Sequence, residues 1–370
     1  MAKTFRTGIV GCGGIAGGKH LPALAKQKNI EIVAFCDIIR ERAEEAKEEY
    51  GSEDAYVSED YMDLVNDPNI DVIHVLTPNR EHAPITIAAL ESGKDVMCEK
   101  PMAKTAEDAR KMVEAAERTG RKLTVGYQSR HRANSQYLKR AIEDDRLGNV
   151  YFAKAHAIRR RAVPTWGVFL DGEAQGGGPL IDIGTHALDL TLWMMDNYEV
   201  DYVVGNTYRE LADTENAANA FGPWDPKEFT VEDSAFGFVT MKNGATVILE
   251  SAWALNTLDV DEAKTSLSGN KGGADMKGKN ELRLNGESYS RTWVEEPELS
   301  GGGVAFYEGG VEKPEDRECR LFYEAIENDT DPVVTPQQAL VVTEILEAIY
   351  RSAESRKPVF FGENNQPVED

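Results

Sequence analysis

The sequence has little of what disulfide-stapled and membrane proteins need. Its 370 residues include four scattered cysteines, Cys12, Cys36, Cys98 and Cys319, with no CxxC pair among them. We interpret them as small, largely buried thiols of a protein in a reducing cytoplasm. No apolar run reaches the roughly 18 residues of a membrane span, and no apolar segment typical of a signal peptide precedes the first glycines. The sequence therefore predicts a cytoplasmic protein with no membrane partner.

Basic residues are also much fewer than acidic residues. Lys and Arg number 41 against 64 Asp and Glu, which gives a formal net charge of −23. A partner with a phosphate backbone requires a basic face, so this balance argues against nucleic acid. It argues equally against an anionic membrane surface. The acidity is most simply explained by solubility.

Several catalytic signatures are missing as well. No GxSxG elbow and no Walker loop is present, so acyl transfer and phosphoryl transfer lose support. The six histidines show no zinc-like spacing with the cysteines, and no metal is predicted. His74 lies inside an apolar run, where we interpret it as a satisfied core residue.

The first 128 residues alternate between strand-like and helix-like segments. The apolar runs are FRTGIVG, EIVAFCD, IDVIHVLTPN, KDVMCEKP and KLTVGYQ. Charged helical segments separate them, one of which begins at Thr105 with capping-box spacing. This pattern predicts an α/β domain, a Rossmann-type doubly wound parallel sheet over residues 1–128. The length of the chain favours a second domain.

The remaining residues, 129–370, favour longer strands with few helices. Asn243-Gly244 is a hairpin signal between two alternating runs, and two helices are predicted near 315–328 and 336–355. The pattern predicts a C-terminal α+β domain with an open mixed or antiparallel sheet, whose last helix is free to pack back on the first domain. An open sheet leaves an apolar face, so we expect a homodimer or homotetramer through that sheet.

A glycine-rich turn follows the first predicted strand. It reads Gly11, Cys12, Gly13, Gly14, Ile15 and Ala16, which is GxGxxA. Such a turn lets the backbone and the following helix N-terminus approach a pyrophosphate. Asp37 ends the second strand, where an acid takes the ribose hydroxyls and repels a 2′-phosphate. The sequence predicts NAD rather than NADP, although the nearby Arg40 complicates the choice.

Polar residues follow three further strands at the edge where such sheets bind ligands. We expect cofactor contacts from Thr77, Pro78, Asn79, Glu99, Lys100 and Gln128. The alternative for Glu99 and Lys100 is a surface ion pair. His82 either starts a helix or reaches the cofactor ribose or phosphate.

Four stretches in this order and spacing resemble the glucose–fructose oxidoreductase and inositol dehydrogenase family (Gfo/Idh/MocA). They are GCGGIA, TPNxxH, EKP and GGGPLIDIGTHALDL, and the resemblance extends over essentially the whole chain. It implies a Rossmann domain followed by an open-faced mixed sheet, with a nicotinamide cofactor between them.

The last of these stretches places a carboxylate and an imidazole on an apolar helix. Asp182 and His186 are four residues apart and share a face. If buried they need partners, which a substrate hydroxyl and Lys100 would supply; the alternative is a solvated ion pair. Hydride transfer from an alcohol leaves a proton, for which His186 is the predicted base, as the resemblance also implies. Asp182 would orient the hydroxyl, and Lys100 would stabilise alkoxide character.

Other residues near this stretch have less definite predictions. Asp189 is expected to bond backbone or hold a neighbouring side chain. Trp166 is expected to cover the cofactor and Arg160 to meet substrate, unless their arm is a surface or interface loop. His131 contacts substrate or nothing. The glycines at 176–178 would let backbone pass close to another surface, such as the sugar or nicotinamide.

The sequence therefore predicts an NAD-dependent oxidoreductase that oxidises a secondary ring hydroxyl of a sugar, glycoside or cyclitol. One alternative is a redox glycosidase that uses bound NAD only transiently, as some members of the resembled family do. Another is a non-catalytic NAD-binding sensor, against which the set of Lys100, Asp182 and His186 argues. Which sugar is used is left open, because specificity lies in loops that follow no spacing rule.

Overall fold

The chain divides into two units, seen here in a computed structural model that describes residues 3–277, 281–299 and 312–368. The first unit comprises residues 1–128 and 313–340, and the second comprises 129–312 and 341–370. Residues 313–340 thus belong with the N-terminal residues, whereas the sequence-based division placed them in the second domain.

The first unit contains a parallel sheet with the strand order β3-β2-β1-β4-β5-β6. The strands are β1 (Phe5–Val10), β2 (Ile30–Cys36), β3 (Tyr56–Ser58), β4 (Val72–Val75), β5 (Asp95–Cys98) and β6 (Leu123–Val125). The order reverses between β1 and β4, which is the point where dinucleotides bind in such sheets. The predicted doubly wound sheet is confirmed. The sequence pattern missed β3, which is three residues long.

Helices cover this sheet. They are α1 (Leu21–Ala25), α2 (Arg40–Tyr50), α3 (Tyr61–Asn66), α4 (Asn79–Glu91), α5 (Ala106–Thr119) and α9 (Pro314–Glu327). The Thr105 hydroxyl accepts from the Asp108 N–H at 3.1 Å, so the predicted cap of α5 is present. Phe322 and Tyr323 of α9 are buried in one core with Phe5 of β1. Each such ring contributes roughly 1.5–3 kcal/mol by burial, which explains why residues 313–340 join this unit.

The second unit contains a mixed sheet with the strand order β14-β13-β12-β11-β7-β10-β9-β8-β15. The strands are β7 (Val150–Ile158), β8 (Val200–Tyr208), β9 (Ser234–Met241), β10 (Thr246–Ala252), β11 (Asp261–Gly269), β12 (Gly272–Lys277), β13 (Glu281–Ser288), β14 (Arg291–Glu295) and β15 (Val359–Phe360). The predicted hairpin turn lies between β9 and β10, with Gly244 at a φ of +84°. The expected open mixed sheet is confirmed.

The helices of this unit are α6 (Ala133–Glu143), α7 (Gly172–Gln175), α8 (Thr185–Met195) and the part of α10 (Pro336–Ser355) that begins at residue 341. A Cβ atom on Gly205 or Gly237 would lie 2.6 or 2.5 Å from Ile349 of α10, so these two glycines let α10 approach the sheet closely. The α8 helix packs against β7 and β11.

The other face of the sheet carries a row of side chains set by strand register. Across five strands the row runs Ser266, Lys154, Ile248, Phe238 and Val204. Phe238 is 43% exposed and Val204 is 36% exposed. We call this row with its surroundings the open face. Within the described ranges, no helix is long and apolar enough to cross a membrane.

Candidate active site

The glycine-rich turn after β1 has the geometry of a dinucleotide-binding turn. Gly11 has a φ of +94°, and a Cβ atom there would lie 2.6 Å from the Leu76 carbonyl oxygen, so only glycine fits. Gly13 and Gly14 have no heavy atom within 4 Å of a built Cβ. No other part of the described chain therefore occupies the space that a side chain at either position would enter. Ile15, which follows, is 42% exposed.

Asp37 connects this turn to the end of β2. One carboxylate oxygen accepts from the Cys12 N–H and the other from the Ile39 N–H, both at 2.8 Å. Each oxygen keeps lone-pair capacity for a ribose hydroxyl. Arg40 donates instead to Glu44 at 2.8 Å, so its guanidinium is already paired with a carboxylate.

Thr77, Pro78 and Asn79 form the turn after β4 as predicted. The Thr77 hydroxyl is buried and has no hydrogen-bond partner among the described residues. Asn79 begins α4 and is half-buried. An unsatisfied buried hydroxyl at this edge of the sheet fits a bound polar ligand. Together with the open glycine turn, it indicates that the residues present fit NAD.

Of the two options left open for His82, the structure shows the first, because His82 lies in the first turn of α4. Its ring is 1% exposed, with Nδ1 at 2.7 Å from the Pro101 carbonyl and Nε2 at 2.9 Å from the Thr77 carbonyl. Burial lowers the pKa of His82, and a neutral imidazole donates to one of these carbonyls at a time. The ring thus links two strand-end turns. Both of its nitrogens face backbone, which leaves neither for a cofactor ribose or phosphate.

Glu99 is buried rather than part of a surface ion pair. Its Oε1 accepts from Lys19 Nζ at 2.7 Å and lies 2.8 Å from His20 Nε2, while its Oε2 accepts from the Lys100 N–H at 3.0 Å. Glu99 is 5% exposed. Protein groups therefore account for both carboxylate oxygens without a cofactor. Lys100 itself is half-buried at the start of the following turn, with a cis peptide bond to Pro101.

Gln128 begins a short 3-10 turn that ends at His131. Arg130 in this turn is fully buried and forms a two-pronged pair with Asp189 of α8, with distances of 3.0 and 2.6 Å. Of the two options left open for Asp189, the structure shows that it holds a neighbouring side chain. His131 is 4% exposed beside this pair. The sequence reasoning did not predict this buried pair.

Asp182 lies in a π-helical turn, Leu180–Gly184, that precedes α8. The sequence predicted one regular helix here. The wider turn is closed by the Thr185 N–H, which donates to the Leu180 carbonyl. Such turns are frequent at functional sites. The Asp182 Oδ2 accepts from the indole N–H of the fully buried Trp253 at 2.9 Å, which fixes the carboxylate four residues before His186.

The glycines before this turn pack against protein. A Cβ on Gly177 would lie 2.0 Å from the Tyr350 hydroxyl, and one on Gly178 would lie 2.3 Å from the Glu232 carbonyl oxygen. The predicted close approach of the backbone to another surface is present at Gly177 and Gly178, and that surface is formed by Tyr350 and Glu232 of the protein itself. The Glu232 carboxylate accepts from the Gly178 and Leu180 N–H groups at 2.9 and 3.1 Å, and so caps the helix start. Burial raises the pKa of Glu232.

The basic arm after β7 is largely engaged within its own unit. Arg159 forms a two-pronged pair with Glu262 at 2.6 and 2.8 Å, and Arg161 donates to Asn256 at 2.6 Å. Arg160 is exposed. Of the three arginines, Arg160 is therefore the one we retain as a substrate candidate.

Trp166 is 52% exposed and lies in an aromatic path that leads inward. Its ring packs edge-on against Phe221 and Phe169, with centroids 4.8 and 5.8 Å away. Phe169 in turn contacts Trp253, the partner of Asp182, at 6.4 Å. The path connects an exposed aromatic surface with the Asp182 carboxylate.

The remaining histidines support no metal site. His74 is fully buried in β4, 3.2 Å from His20 and 3.1 Å from the Tyr323 hydroxyl, as expected of a satisfied core residue. His156 pairs with Glu250 at 2.8 Å. In the part of the chain that the structure describes, no group of three or more His, Cys, Asp or Glu side chains is placed to hold a metal ion.

A doubly wound sheet with an open glycine turn, followed by an open-faced mixed sheet, defines a dinucleotide-dependent oxidoreductase class. The chain belongs to the Gfo/Idh/MocA oxidoreductase family. Residues 5–127 match the model of its NAD-binding Rossmann fold, and residues 139–361 match the model of its C-terminal alpha/beta domain. The family predicted from the motifs is confirmed.

Individual relatives share this organisation. D-glucoside 3-dehydrogenase of Escherichia coli (strain K12) is 37% identical over 275 residues, which are 74% of this chain and 78% of the relative. Inositol 2-dehydrogenase of Salmonella paratyphi B is 31% identical over 207 residues, 55% of this chain and 58% of the relative. The structure of a levoglucosan dehydrogenase complexed with NADH and levoglucosan has a TM-score of 0.82 at 20% identity, and the match covers 97% of this chain and 99% of that one. The last likeness shows the fold alone.

Proposed function

We propose that the protein is an NAD-dependent dehydrogenase that oxidises a secondary ring hydroxyl of a sugar, glycoside or cyclitol. The observation that carries this proposal is Asp182, a carboxylate held by the buried Trp253 indole in the turn that leads to His186. The similarity to a glucoside dehydrogenase and an inositol dehydrogenase supports the substrate class, and the first of these favours a glycoside.

In this proposal bound NAD supplies the hydride acceptor. The backbone at Gly11, Gly13, Gly14 and Ile15 holds its diphosphate, and Asp37 takes the ribose hydroxyls. Further contacts are assigned to Thr77, Pro78, Asn79, Gln128 and Trp166. The Asp37 carboxylate repels a 2′-phosphate, and the Arg40 guanidinium is directed to Glu44. Both observations favour NAD over NADP.

The protein residues handle the proton and the alcohol oxygen. His186 takes the proton of the substrate hydroxyl. Lys100 donates a hydrogen bond to the oxygen and stabilises the negative charge that develops as hydride leaves. Asp182 orients the hydroxyl, while its bond to Trp253 keeps the carboxylate in place. His131 and Arg160 are assigned to the remaining substrate hydroxyls.

The proposal is tested by following NADH absorbance with a panel of glucosides, free sugars and inositols. Lys100→Ala and His186→Ala should each lower kcat by a factor of about 10² or more, because each removes a group that acts on the reacting oxygen. NAD affinity should change little in His186→Ala. The matched control is His156→Asn, which alters a buried histidine of the same unit that pairs with Glu250.

Other results would identify a different function. Wild-type turnover in Lys100→Ala or His186→Ala would contradict the assignment of these residues. Cleavage of a glycoside with catalytic NAD and no accumulation of NADH would instead identify a redox glycosidase. Binding of NAD without turnover of any polyol would identify a sensor.

A further inference from the structure

A buried ionic cluster lies in the first unit, next to the backbone of Lys100. Its members are Lys19, His20, Glu99 and Glu318, and we call it the Lys19 cluster. Lys19 Nζ lies 2.7 Å from Glu99 Oε1 and 2.9 Å from Glu318 Oε2. The four residues are between 3 and 7% exposed. A lysine is therefore shared between two carboxylates out of contact with bulk water.

The cluster joins three segments that are far apart in the sequence. Lys19 and His20 come from the π-helical turn Ala16–His20, directly after the glycine-rich turn. Glu99 follows β5, and Glu318 lies on α9. The pair of Lys19 and Glu99 also leaves little space for a side chain at position 126. A Cβ atom on Gly126 would lie 3.0 Å from Glu99 Oε1 and 3.3 Å from Lys19 Nζ.

The charges in the cluster do not balance. Burial raises the pKa of Glu99, but Lys19 and His20 outweigh it and hold this pKa well below its usual range. Burial lowers the pKa of His20, which favours the neutral ring. Lys19 and Glu99 thus form the ion pair, and Glu318 is the surplus carboxylate. Its Oε1 is buried with no hydrogen-bond partner among the described residues.

We propose that Glu318 is a positioning residue for Lys100, acting through Lys19 and Glu99. This inference rests on the function proposed above. Glu318 fixes one side of the Lys19 ammonium, which fixes Glu99 Oε1, and Glu99 Oε2 accepts from the Lys100 N–H at 3.0 Å. Lys19 Nζ already lies 2.7 Å from Glu99 Oε1, so without the pull of Glu318 it swings around that oxygen rather than closer to it, and the carboxylate that holds the Lys100 backbone turns. Displacing a reacting group by about 1 Å is enough to lower a rate by a factor of about 10².

The strength of this hold depends on pH. Burial raises the pKa of Glu318 to about 7, although Lys19 acts in the opposite direction. The charged or titratable groups around it are Lys19 and His20 from the π-helical turn, Glu99 after β5, and Glu315 and Cys319 on its own helix. An ionised Glu318 attracts the Lys19 ammonium more strongly than a neutral one. Lys100 is therefore held best above about pH 7.

The test compares Glu318→Gln with a control on the same helix, Asp316→Asn. Asp316 also pairs with a lysine, Lys26, at 2.6 Å, but outside the cluster. Because glutamine resembles the protonated acid, kcat of Glu318→Gln should match the wild type near pH 6 and fall about tenfold below it near pH 8.5. The Kd for NADH should be unchanged, and Asp316→Asn should follow the wild type throughout. A Glu318→Gln profile that follows the wild type, or that is lowered equally at every pH, overturns the proposal.

A second measurement does not depend on turnover. Reductive methylation with ¹³C-formaldehyde gives each lysine an NMR signal. The signal that is missing from the spectrum of Lys100→Arg belongs to Lys100. Near pH 8.5, Glu318→Gln should shift this signal while Asp316→Asn leaves it in place. A shift in a protein that turns over no polyol would support the positioning role and reject the proposed function. An unshifted signal would reject the positioning role alone.

Discussion

At the scale of single residues, the candidate site depends on pairs that bring together distant parts of the second unit. The Trp253 indole holds Asp182 from 71 residues away, and Asp189 holds Arg130 across 59 residues. Glu232, which is 52 residues after Leu180 in the sequence, accepts from the Leu180 N–H and caps the helix start. Each pair includes a carboxylate in an apolar setting. The sequence draws attention to two of these carboxylates, Asp182 and Asp189, but not to Glu232.

Trp253 offers a sharp test of the role of Asp182. Trp253→Phe removes the indole donor at 2.9 Å and keeps an aromatic ring in the core. An Asp182 carboxylate with one fewer restraint should orient the substrate less well, so we expect kcat/KM to fall by about ten- to a hundredfold. Steady-state kinetics measure this, and Trp224→Phe is a control at another buried tryptophan of the same unit. Equal activity of Trp253→Phe and Trp224→Phe would contradict the positioning of Asp182 by the indole.

The buried Glu318 also has a consequence for stability. Its pKa of about 7 in the folded protein lies above that of an exposed glutamate, about 4.3, so the folded state binds more protons between these values. Stability from this group is complete below about pH 4 and is lost as pH rises through 7. The Tm of Glu318→Gln relative to the wild type should therefore be higher at pH 8 than at pH 5. A constant difference in Tm between the two pH values would contradict a raised pKa.

At the scale of helices and strands, two π-helical turns carry the groups to which we assign a function. Ala16–His20 presents Lys19 and His20, and Leu180–Gly184 presents Asp182. In both cases glycines precede or form the turn, which the sequence shows. A π-helical turn contains more residues than a regular α-helical turn. The sequence does not reveal this difference, because it depends on packing against other segments rather than on periodicity.

The pair of Arg130 and Asp189 anchors the 3-10 turn to α8. Asp189→Asn keeps the shape but leaves a fully buried guanidinium without its counter-charge, which should cost about 3–5 kcal/mol of unfolding free energy. Denaturant unfolding measures the loss. The control is Glu295→Gln, since Glu295 pairs with Arg146 where both side chains are about one-third exposed. That substitution should cost about 1 kcal/mol or less, and equal losses in the two variants would contradict the prediction.

Sequence patterns captured the elements with strong local signals. The five apolar runs of the first unit, the cap at Thr105 and the turn at Gly244 all lie where predicted. The missed strands are the three-residue β3 and polar strands such as β11, whose alternation is weak. The candidate site residues predicted from sequence were those in motifs. Five other residues were missed because the roles we assign to them come from long-range pairing that no local spacing encodes. They are Lys19, Arg130, Glu232, Trp253 and Glu318.

At the scale of the whole molecule, the open face of the second unit remains to be explained. Phe238 and Val204 are exposed next to each other on adjacent strands, while α10 packs against the opposite face at Gly205 and Gly237. Exposed apolar surface of this kind is typical of an interface. We propose that two or four copies of the chain associate through the open face, with isologous contacts between like surfaces.

Phe238→Glu tests this association. A glutamate at position 238, the fourth of the five positions in the row, would be buried as a charge in the proposed interface of each copy, so the variant should sediment as a smaller species than the wild type. Analytical ultracentrifugation over a range of concentrations measures the shift. Tyr151→Glu is the control, because Tyr151 is 55% exposed but its side chain lies on the other face by strand alternation. If Phe238→Glu keeps the wild-type mass while Tyr151→Glu dissociates, the interface lies on the opposite side of the sheet. If neither variant changes the mass of an assembled wild type, the contact lies outside the sheet, and the exposed phenylalanine has another partner.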